Sequence, residues 1–249
     1  MTALRRRGIY AKEETETRTT FKISTSSVKA VDLLRILPFL SAIVVYFYYC
    51  KPHISKPTPC LATTVAKCLP IIFLTVFVDT TSGRTLDYKF KKYVFFGLIG
   101  CCVGDACLVY PEGFIPGMLA FAIGHGFYIK AFAYQDILKL DMDIGTIFPI
   151  IMAIVTYGIL FPGMSNLMRV LAGVYLTLLC YMVIQATNRM KLLRSVSSFT
   201  AFLGAWLFGL SDLALGVAMW VTHFQGDSLV VMTLYYIGQF LIAISVLGF

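Results

Sequence analysis

Two carboxylic acids lie within long apolar stretches of this sequence. Asp105 occurs in GLIGCCVGDACLVY and Asp212 in GAWLFGLSDLALGV. If these stretches cross a membrane, each charged side chain costs at least about 2.5 kcal/mol at the bilayer centre, so such a residue normally faces other helices and has a function. Carboxyl groups can donate and accept protons. Because the two aspartates have similar apolar surroundings, the sequence predicts a site of acid–base chemistry or proton transfer inside a membrane protein.

The composition agrees with a membrane protein. The chain is 58% hydrophobic and 14% charged, with a mean hydropathy of +0.79, whereas the charged fraction of soluble domains is nearer 25%. Apolar runs long enough to cross about 30 Å of hydrocarbon are Leu33–Tyr49, Cys60–Val78, Tyr93–Tyr110, Phe114–Gln135, Thr146–Phe161, Leu167–Thr187, Ser197–Val221 and Ser228–Gly248. The sequence predicts an all-α polytopic membrane protein with eight transmembrane helices.

The net charge of +8 follows the predicted topology. Basic residues gather in the N-terminal tail, in segment 84–92 and in segment 189–194. By the positive-inside rule this pattern places both termini in the cytosol, and it favours membrane orientation over nucleic-acid binding. Residues 1–31 are rich in Ser, Thr and charge and are predicted to form a disordered cytosolic tail, so the transmembrane domain spans 32–249.

The two halves of the chain show an internal similarity. Aligning Asp105 with Asp212 brings the third and seventh predicted spans into register, and YIKAF (Tyr128–Phe132) then matches YIGQF (Tyr236–Phe240) one residue out of phase. Because each half has four spans, the halves would share one orientation. This pattern predicts two parallel four-helix repeats related by an axis along the membrane normal.

Several polar residues fall at a similar depth. With a rise of about 1.5 Å per residue, five of them come within roughly 6 Å of the midplane, on the non-cytosolic side: Lys67, Asp105, Asp212, Tyr235 and Tyr236. His125 and Gln239 come close to the middle. Small residues share a helix face with each aspartate, which predicts that both carboxylates face neighbouring helices.

The supporting residues have alternative interpretations. Lys67 is either a counter-ion of an aspartate or a direct contact of a substrate. His125, Tyr128, Tyr235 and Tyr236 are either hydrogen-bonded packing residues or part of a site. Cys50 and Cys60 flank a non-cytosolic loop and can form a disulfide if that loop faces an oxidising lumen. The remaining cysteines show no metal-ligand spacing, and no metal is expected.

These residues belong to motifs that resemble a known family. The chain resembles the lysoplasmalogenases, the YhhN-like family of multi-span membrane proteins, and particularly their vertebrate members. The matching segments are KCLP (Lys67–Pro70), VGDACL (Val103–Leu108), FIPGMLAFAIGHGFY (Phe114–Tyr128), GLSD (Gly209–Asp212) and MTLYYIGQ (Met232–Gln239). They occur across five of the eight predicted spans, in the family's order.

The resemblance implies hydrolysis of the 1-alkenyl ether bond of lysoplasmalogens, giving a fatty aldehyde and glycerophosphoethanolamine or glycerophosphocholine. Vinyl ethers hydrolyse after protonation of the β-carbon, so this chemistry needs an acid and an anion, as paired carboxyls supply in glycoside hydrolysis. Asp105 and Asp212 are expected in these roles, in either order. His125, Tyr128, Tyr235, Tyr236 and Gln239 would support the site, and Lys67 or a more cytosolic basic residue would meet the substrate phosphate. Water is the co-substrate, and no cofactor is expected.

Two other classes of function remain open. Midplane carboxylates and internal repeats also occur in proton-coupled transporters, which typically have broken helices. A lipid-binding protein without enzymatic activity would need a lipid pocket and not both carboxylates. Vertebrate relatives suggest the endoplasmic reticulum. Head-group preference and oligomeric state are not predicted.

Overall fold

The computed structural model of the chain describes residues 30–51, 58–81, 88–133, 142–223 and 225–248. These ranges form eight α-helices. In chain order they are α1 (Ala30–Cys50), α2 (Leu61–Thr80), α3 (Tyr88–Cys107), α4 (Phe114–Phe132), α5 (Ile144–Leu160), α6 (Asn166–Leu193), α7 (Val196–Trp220) and α8 (Asp227–Ile244). Short 3₁₀ turns follow at Pro111–Gly113, Phe161–Gly163 and Ser245–Leu247. The prediction of an all-α fold is confirmed.

The helices have the length and composition of a polytopic membrane protein. Within the described ranges, α2 and α4 to α8 are six helices long and apolar enough to cross a bilayer, and α1 contributes a shorter apolar segment, Leu34–Cys50. Helix α3 has three lysines near its start and Asp105 near its end. The eight predicted spans therefore correspond to eight helices in the described ranges. Six of these helices are long and apolar enough to cross a bilayer.

Helix ends differ most from the predicted ends where the sequence is basic. Helix α6 continues past the predicted end at Thr187 to Leu193, and α3 begins at Tyr88 instead of Tyr93. The length of an apolar run corresponds to the thickness of the hydrocarbon core, whereas a helix can continue through polar residues outside that core. Helix α1 begins at Ala30, just before the predicted boundary, and the rest of the predicted tail lies outside the described residues.

Short connections alternate between two faces of the bundle. The connections 51–60, 108–113, 161–165 and 221–226 join odd-numbered helices to the even-numbered helices that follow. We call their side the outer face, which is the predicted non-cytosolic side, and the opposite side the inner face. Helices α3 and α4 are antiparallel neighbours, as are α7 and α8.

Basic side chains stabilise the inner face. The Lys91 ammonium donates to the carbonyls of Asp79 and Thr81 at 2.6 and 2.8 Å, which satisfies the C-terminal end of α2. Asp143 accepts a hydrogen bond from the Thr146 N–H at 3.1 Å and caps α5. Lys191 lies 2.6 Å from the other oxygen of Asp143, and this hydrogen bond holds the pKa of Asp143 below its ordinary value.

At the outer face, Cys60 caps α2. Its thiol accepts the Thr63 N–H at 3.4 Å. Cys50 and Cys60 are both free thiols, so the disulfide considered from the sequence is not formed in this structure.

Glycines allow the closest helix contacts. A Cβ at Gly100 would lie 3.0 Å from the backbone of Gly124, which brings α3 and α4 together, and a Cβ at Gly204 would lie 2.7 Å from the carbonyl oxygen of Gly238, which joins α7 to α8. Asp105 is buried on the same face of α3 as Gly97 and Cys101. The two close pairs occupy similar places in the two halves, and the four-helix duplication stays a prediction.

We expect Gly204→Ala to lower the apparent Tm of the purified protein in detergent. The new methyl group would meet backbone atoms of Gly238 and Ile242, and overpacking of this kind costs about 1–3 kcal/mol. Gly158→Ala is the control, because no described atom other than its chain neighbours and the nearby backbone of its own helix lies within 4 Å of its Cβ position, and alanine is about 1 kcal/mol better than glycine in a helix. An equal Tm for the two variants would contradict the close packing.

Candidate active site

A cavity of about 690 Å³ lies between the helices and extends to the outer face. Both carboxylates line it. The polar side chains that line it around the carboxylates include Lys67, Asp105, Tyr175, Asp212 and Tyr235. Towards the outer face the lining continues with Tyr110, Phe114, Trp220 and Asp227. The cavity has the volume of a small-molecule binding site.

Asp105 is held by an ion pair and a hydrogen bond. Its side chain is 2% exposed, and one oxygen accepts a hydrogen bond from the Tyr235 hydroxyl on α8 at 2.6 Å. The other oxygen lies 3.5 Å from the Lys67 ammonium on α2. Tyr236 donates to the backbone carbonyl of Lys67 at 2.8 Å, which fixes α2 against α8. The structure therefore makes Lys67 a counter-ion of Asp105, while the ammonium also lines the cavity.

Asp212 has a different set of partners. Its Oδ2 accepts a hydrogen bond from the Tyr175 hydroxyl on α6 at 2.6 Å and lies 3.7 Å from Nε2 of His125 on α4. The same Nε2 lies 3.0 Å from the Tyr175 oxygen. A phenol has one proton. If Tyr175 donates that proton to Asp212, a hydrogen bond between His125 and Tyr175 requires the tautomer or charge state in which Nε2 carries a proton.

Tyr175 is the site residue that the sequence analysis missed. It lies nine positions after the first residue of α6, and Asp212 lies eight positions before the last residue of α7. At about 1.5 Å per residue these two residues come to nearly the same distance from the outer face. That depth match was available from the sequence, but no motif drew attention to Tyr175.

Tyr128 and Gln239 lie apart from the cavity lining. The Tyr128 hydroxyl donates to Oε1 of Gln239 at 2.6 Å, and both side chains are fully buried between α4 and α8. Gly97 faces the Tyr128 ring directly. Among the described residues, Nε2 of Gln239 and Nδ1 of His125 have no hydrogen-bond partner. This pair packs the helices beneath the site and does not contact either carboxylate.

The arrangement can transfer protons without a metal ligand set. In the part of the chain that the structure describes, no three His, Cys, Asp or Glu side chains converge as metal ligands. Two carboxyl groups share one cavity, one beside an ammonium and one beside a phenol and an imidazole. Such a pair can divide the roles of acid and base.

The fold defines a polytopic membrane protein, and two carboxyl groups line the cavity between its helices. Comparison with known protein families identifies the family of the chain. Residues 62–246 match the YhhN family. This protein belongs to the YhhN family.

The chain is also similar to characterised relatives. It is 31% identical to human lysoplasmalogenase TMEM86A over 85% of this chain and 88% of the relative. It is 33% identical to human lysoplasmalogenase TMEM86B over 89% and 90%, and 34% identical to the pig lysoplasmalogenase TMEM86B over 84% of both. No solved structure matches the chain.

Substitutions that disrupt the Lys67–Asp105 ion pair should destabilise the protein, and the effects of substituting the two residues should not be additive. Removing one partner of a buried ion pair typically costs about 3–5 kcal/mol, because the other charge is left without a partner. We therefore expect Lys67→Met and Asp105→Leu each to lower the apparent Tm. The decrease in Tm of the double variant should be clearly smaller than the sum of the two single decreases.

The exposed Lys191–Asp143 pair provides the control for that cycle. Exposed ion pairs contribute little to stability, so Lys191→Met and Asp143→Leu should show weak coupling. If the effects at Lys67 and Asp105 were additive, the two side chains would not act as a pair.

Proposed function

We propose that this protein is a lysoplasmalogenase, which hydrolyses the 1-alkenyl ether bond of lysoplasmalogens to a fatty aldehyde and glycerophosphoethanolamine or glycerophosphocholine. The observation that carries the proposal is the placement of Asp105 and Asp212 in one cavity, each on a separate hydrogen-bonding framework. Relatives of similar length that cover most of the chain carry this name. The substrate is an amphiphile, as expected for a site among membrane-spanning helices.

The two frameworks favour different roles for the aspartates. Asp105 is paired with a cation and is proposed to act as the carboxylate. Asp212 accepts a hydrogen bond from the Tyr175 hydroxyl and lies beside the His125 ring, where Asp105 has an ammonium, and is proposed to act as the acid. Because Tyr175 donates to Oδ2 of Asp212, the proton to be transferred would lie on Oδ1.

Hydrolysis then follows from proton transfer and water addition. Asp212 delivers its proton to the β-carbon of the vinyl ether, and the positive charge moves to the α-carbon and the ether oxygen. The Asp105 carboxylate stabilises this oxocarbenium ion and accepts a proton from the water that attacks the α-carbon. When the hemiacetal splits into the aldehyde and the glycerol hydroxyl, the Asp212 carboxylate accepts the proton of the hemiacetal hydroxyl and Asp105 gives its proton to the glycerol oxygen, which restores both groups.

Lys67 is proposed to serve both the carboxylate and the substrate. Its ammonium has three N–H donors, lines the cavity and lies 3.5 Å from Asp105. One donor can therefore hold Asp105 while another meets a phosphate oxygen. Among the more cytosolic basic residues, Lys91 donates to the carbonyls that end α2, whereas Lys67 lines the cavity and is better placed for the phosphate.

The helix geometry gives less support to a transporter. Helix α2 continues from Leu61 to Thr80 through Pro70, whereas carriers with midplane ion sites typically use broken helices. The proposal also includes cytosolic termini and residence in the endoplasmic reticulum, both of which rest on the sequence pattern and the resemblance.

Replacement of either aspartate by asparagine should abolish aldehyde release. Asparagine keeps the size and hydrogen-bonding capacity of aspartate but cannot transfer the proton, and general acid–base catalysis contributes about 10²- to 10⁴-fold. We expect losses in this range for Asp105→Asn and Asp212→Asn, measured as aldehyde formed from a 1-alkenyl lysophospholipid by purified protein.

Asp79→Asn is the matched control, because Asp79 is an exposed carboxylate on α2 away from the cavity. It should leave the rate unchanged. Full activity in both site variants would refute the mechanism, and a folded wild-type protein that releases no aldehyde would refute the enzymatic function in favour of transport or lipid binding.

Tyr175→Phe tests the framework that holds Asp212. A hydrogen bond to a charged or reacting group contributes about 1.5–3 kcal/mol, so its removal should lower kcat by roughly 10- to 100-fold. Tyr181→Phe is the control on the same helix, because the described residues provide no hydrogen-bond partner for its buried hydroxyl. Equal kcat values for the two variants would remove Tyr175 from the site.

A further inference from the structure

A second, smaller cavity adjoins the one that contains the carboxylates. It is an apolar groove of about 70 Å³ between α5, α6 and α7. Thr156 on α5 and Leu176 on α6 line both spaces. The groove and the main cavity therefore border each other at the level of these two residues.

The groove leads away from the outer face along all three helices. On α7 the main cavity is lined by Leu215 and Asp212, and the groove by Gly209 and Trp206. The order on α5 and α6 is the same, since Leu160 and Ala172 line the cavity whereas Pro149 and Val183 line the groove. From Asp212 to Trp206 the helix rises by about 9 Å, at 1.5 Å per residue.

The two ends of the combined space differ in polarity. The groove is lined mostly by apolar side chains, among them Met152, Ala153, Leu179 and Leu213. The cavity on the other side of Asp212 contains charged and hydroxyl groups, among them Lys67, Asp227 and Ser228. The Asp212 carboxyl group thus lies between an apolar groove and the cavity that contains these charged and hydroxyl groups.

We propose that the groove between α5, α6 and α7 binds the hydrocarbon chain of a single-chain lipid substrate, whose polar head lies towards the outer face. This inference rests on the proposed function. In a 1-alkenyl lipid the vinyl ether joins the hydrocarbon chain to the glycerol, so a chain in the groove and a head near Lys67 bring that bond to Asp212. With C–C bonds of about 1.5 Å, the groove holds the proximal part of a long chain. The remainder continues into the lipid beside α5, where Ile151, Ile154 and Val155 are exposed.

Gly209→Leu is designed to fill this groove. The nearest described side-chain atom to a Cβ at Gly209 is Cγ2 of Val183, at 3.8 Å, so the position accepts a side chain without a backbone clash. We expect the variant to lose at least about 10-fold in kcat/KM for a substrate with a long alkenyl chain, equivalent to 1.4 kcal/mol. The rate with a substrate of only a few carbons should stay near that of the wild type.

Gly158→Leu is the matched control. Gly158 lies on α5 and lines neither space, and no described atom other than its chain neighbours and the nearby backbone of its own helix lies within 4 Å of its Cβ position. Its ratio of long-chain to short-chain activity should equal that of the wild type. An unchanged ratio in Gly209→Leu would overturn the groove proposal, although aldehyde release by the wild type would still support the proposed function.

A binding measurement separates the groove from catalysis. A lysophospholipid with a photoreactive diazirine in the middle of its chain should label peptides of α5, α6 and α7 in the wild-type protein, and Gly209→Leu should reduce this labelling. The measurement needs no turnover, so it applies even if the protein releases no aldehyde. Labelling confined to other helices, or equal labelling in both proteins, would overturn the proposal.

Discussion

The need to satisfy two carboxyl groups away from bulk water determines how the helices of this protein pack around the site. A bilayer offers no hydrogen-bond donors at this depth, so each carboxylate must find its donors on neighbouring helices. Asp105 on α3 uses α2 and α8, through Lys67 and Tyr235. Asp212 on α7 uses α6 and α4, through Tyr175 and His125. The two aspartates together draw on six helices, which links the stability of the bundle directly to the geometry of the site.

Glycines form the closest helix contacts in the bundle, on helix pairs other than those that the hydroxyl–carboxylate hydrogen bonds join. The contacts of Gly100 with Gly124 and of Gly204 with Gly238 bring α3 to α4 and α7 to α8. Each aspartate-bearing helix is thus packed tightly on one side. On its other side it borders the cavity, where the side chains leave space for a ligand.

The sequence predicted the elements of this structure better than the contacts between them. Hydrophobic runs located all eight helices, because the hydrocarbon thickness sets their length. Depth along a helix also placed Lys67, Asp105 and Tyr235 at a common level, and the structure brings these three together. Rotation about the helix axis is harder to predict. Tyr128 and Gln239 turn towards each other, whereas Tyr175, which lacks a polar neighbour in its sequence, reaches Asp212.

The proposed chemistry accounts for why the two carboxylates have unlike partners. Hydrolysis of a vinyl ether needs a proton donor and an anion in the same cycle. Two carboxyl groups with identical surroundings in one cavity would have the same affinity for a proton, so neither would be fixed as the acid or as the anion. The Lys67 ammonium distinguishes Asp105 from Asp212, so each group can keep one role. The surroundings of Asp212 are also asymmetric, since the cavity with the charged groups lies on one side of it and an apolar groove on the other. In the proposed lipid complex this polarity favours one orientation, in which the bond between the chain and the head lies next to Asp212, the proposed acid.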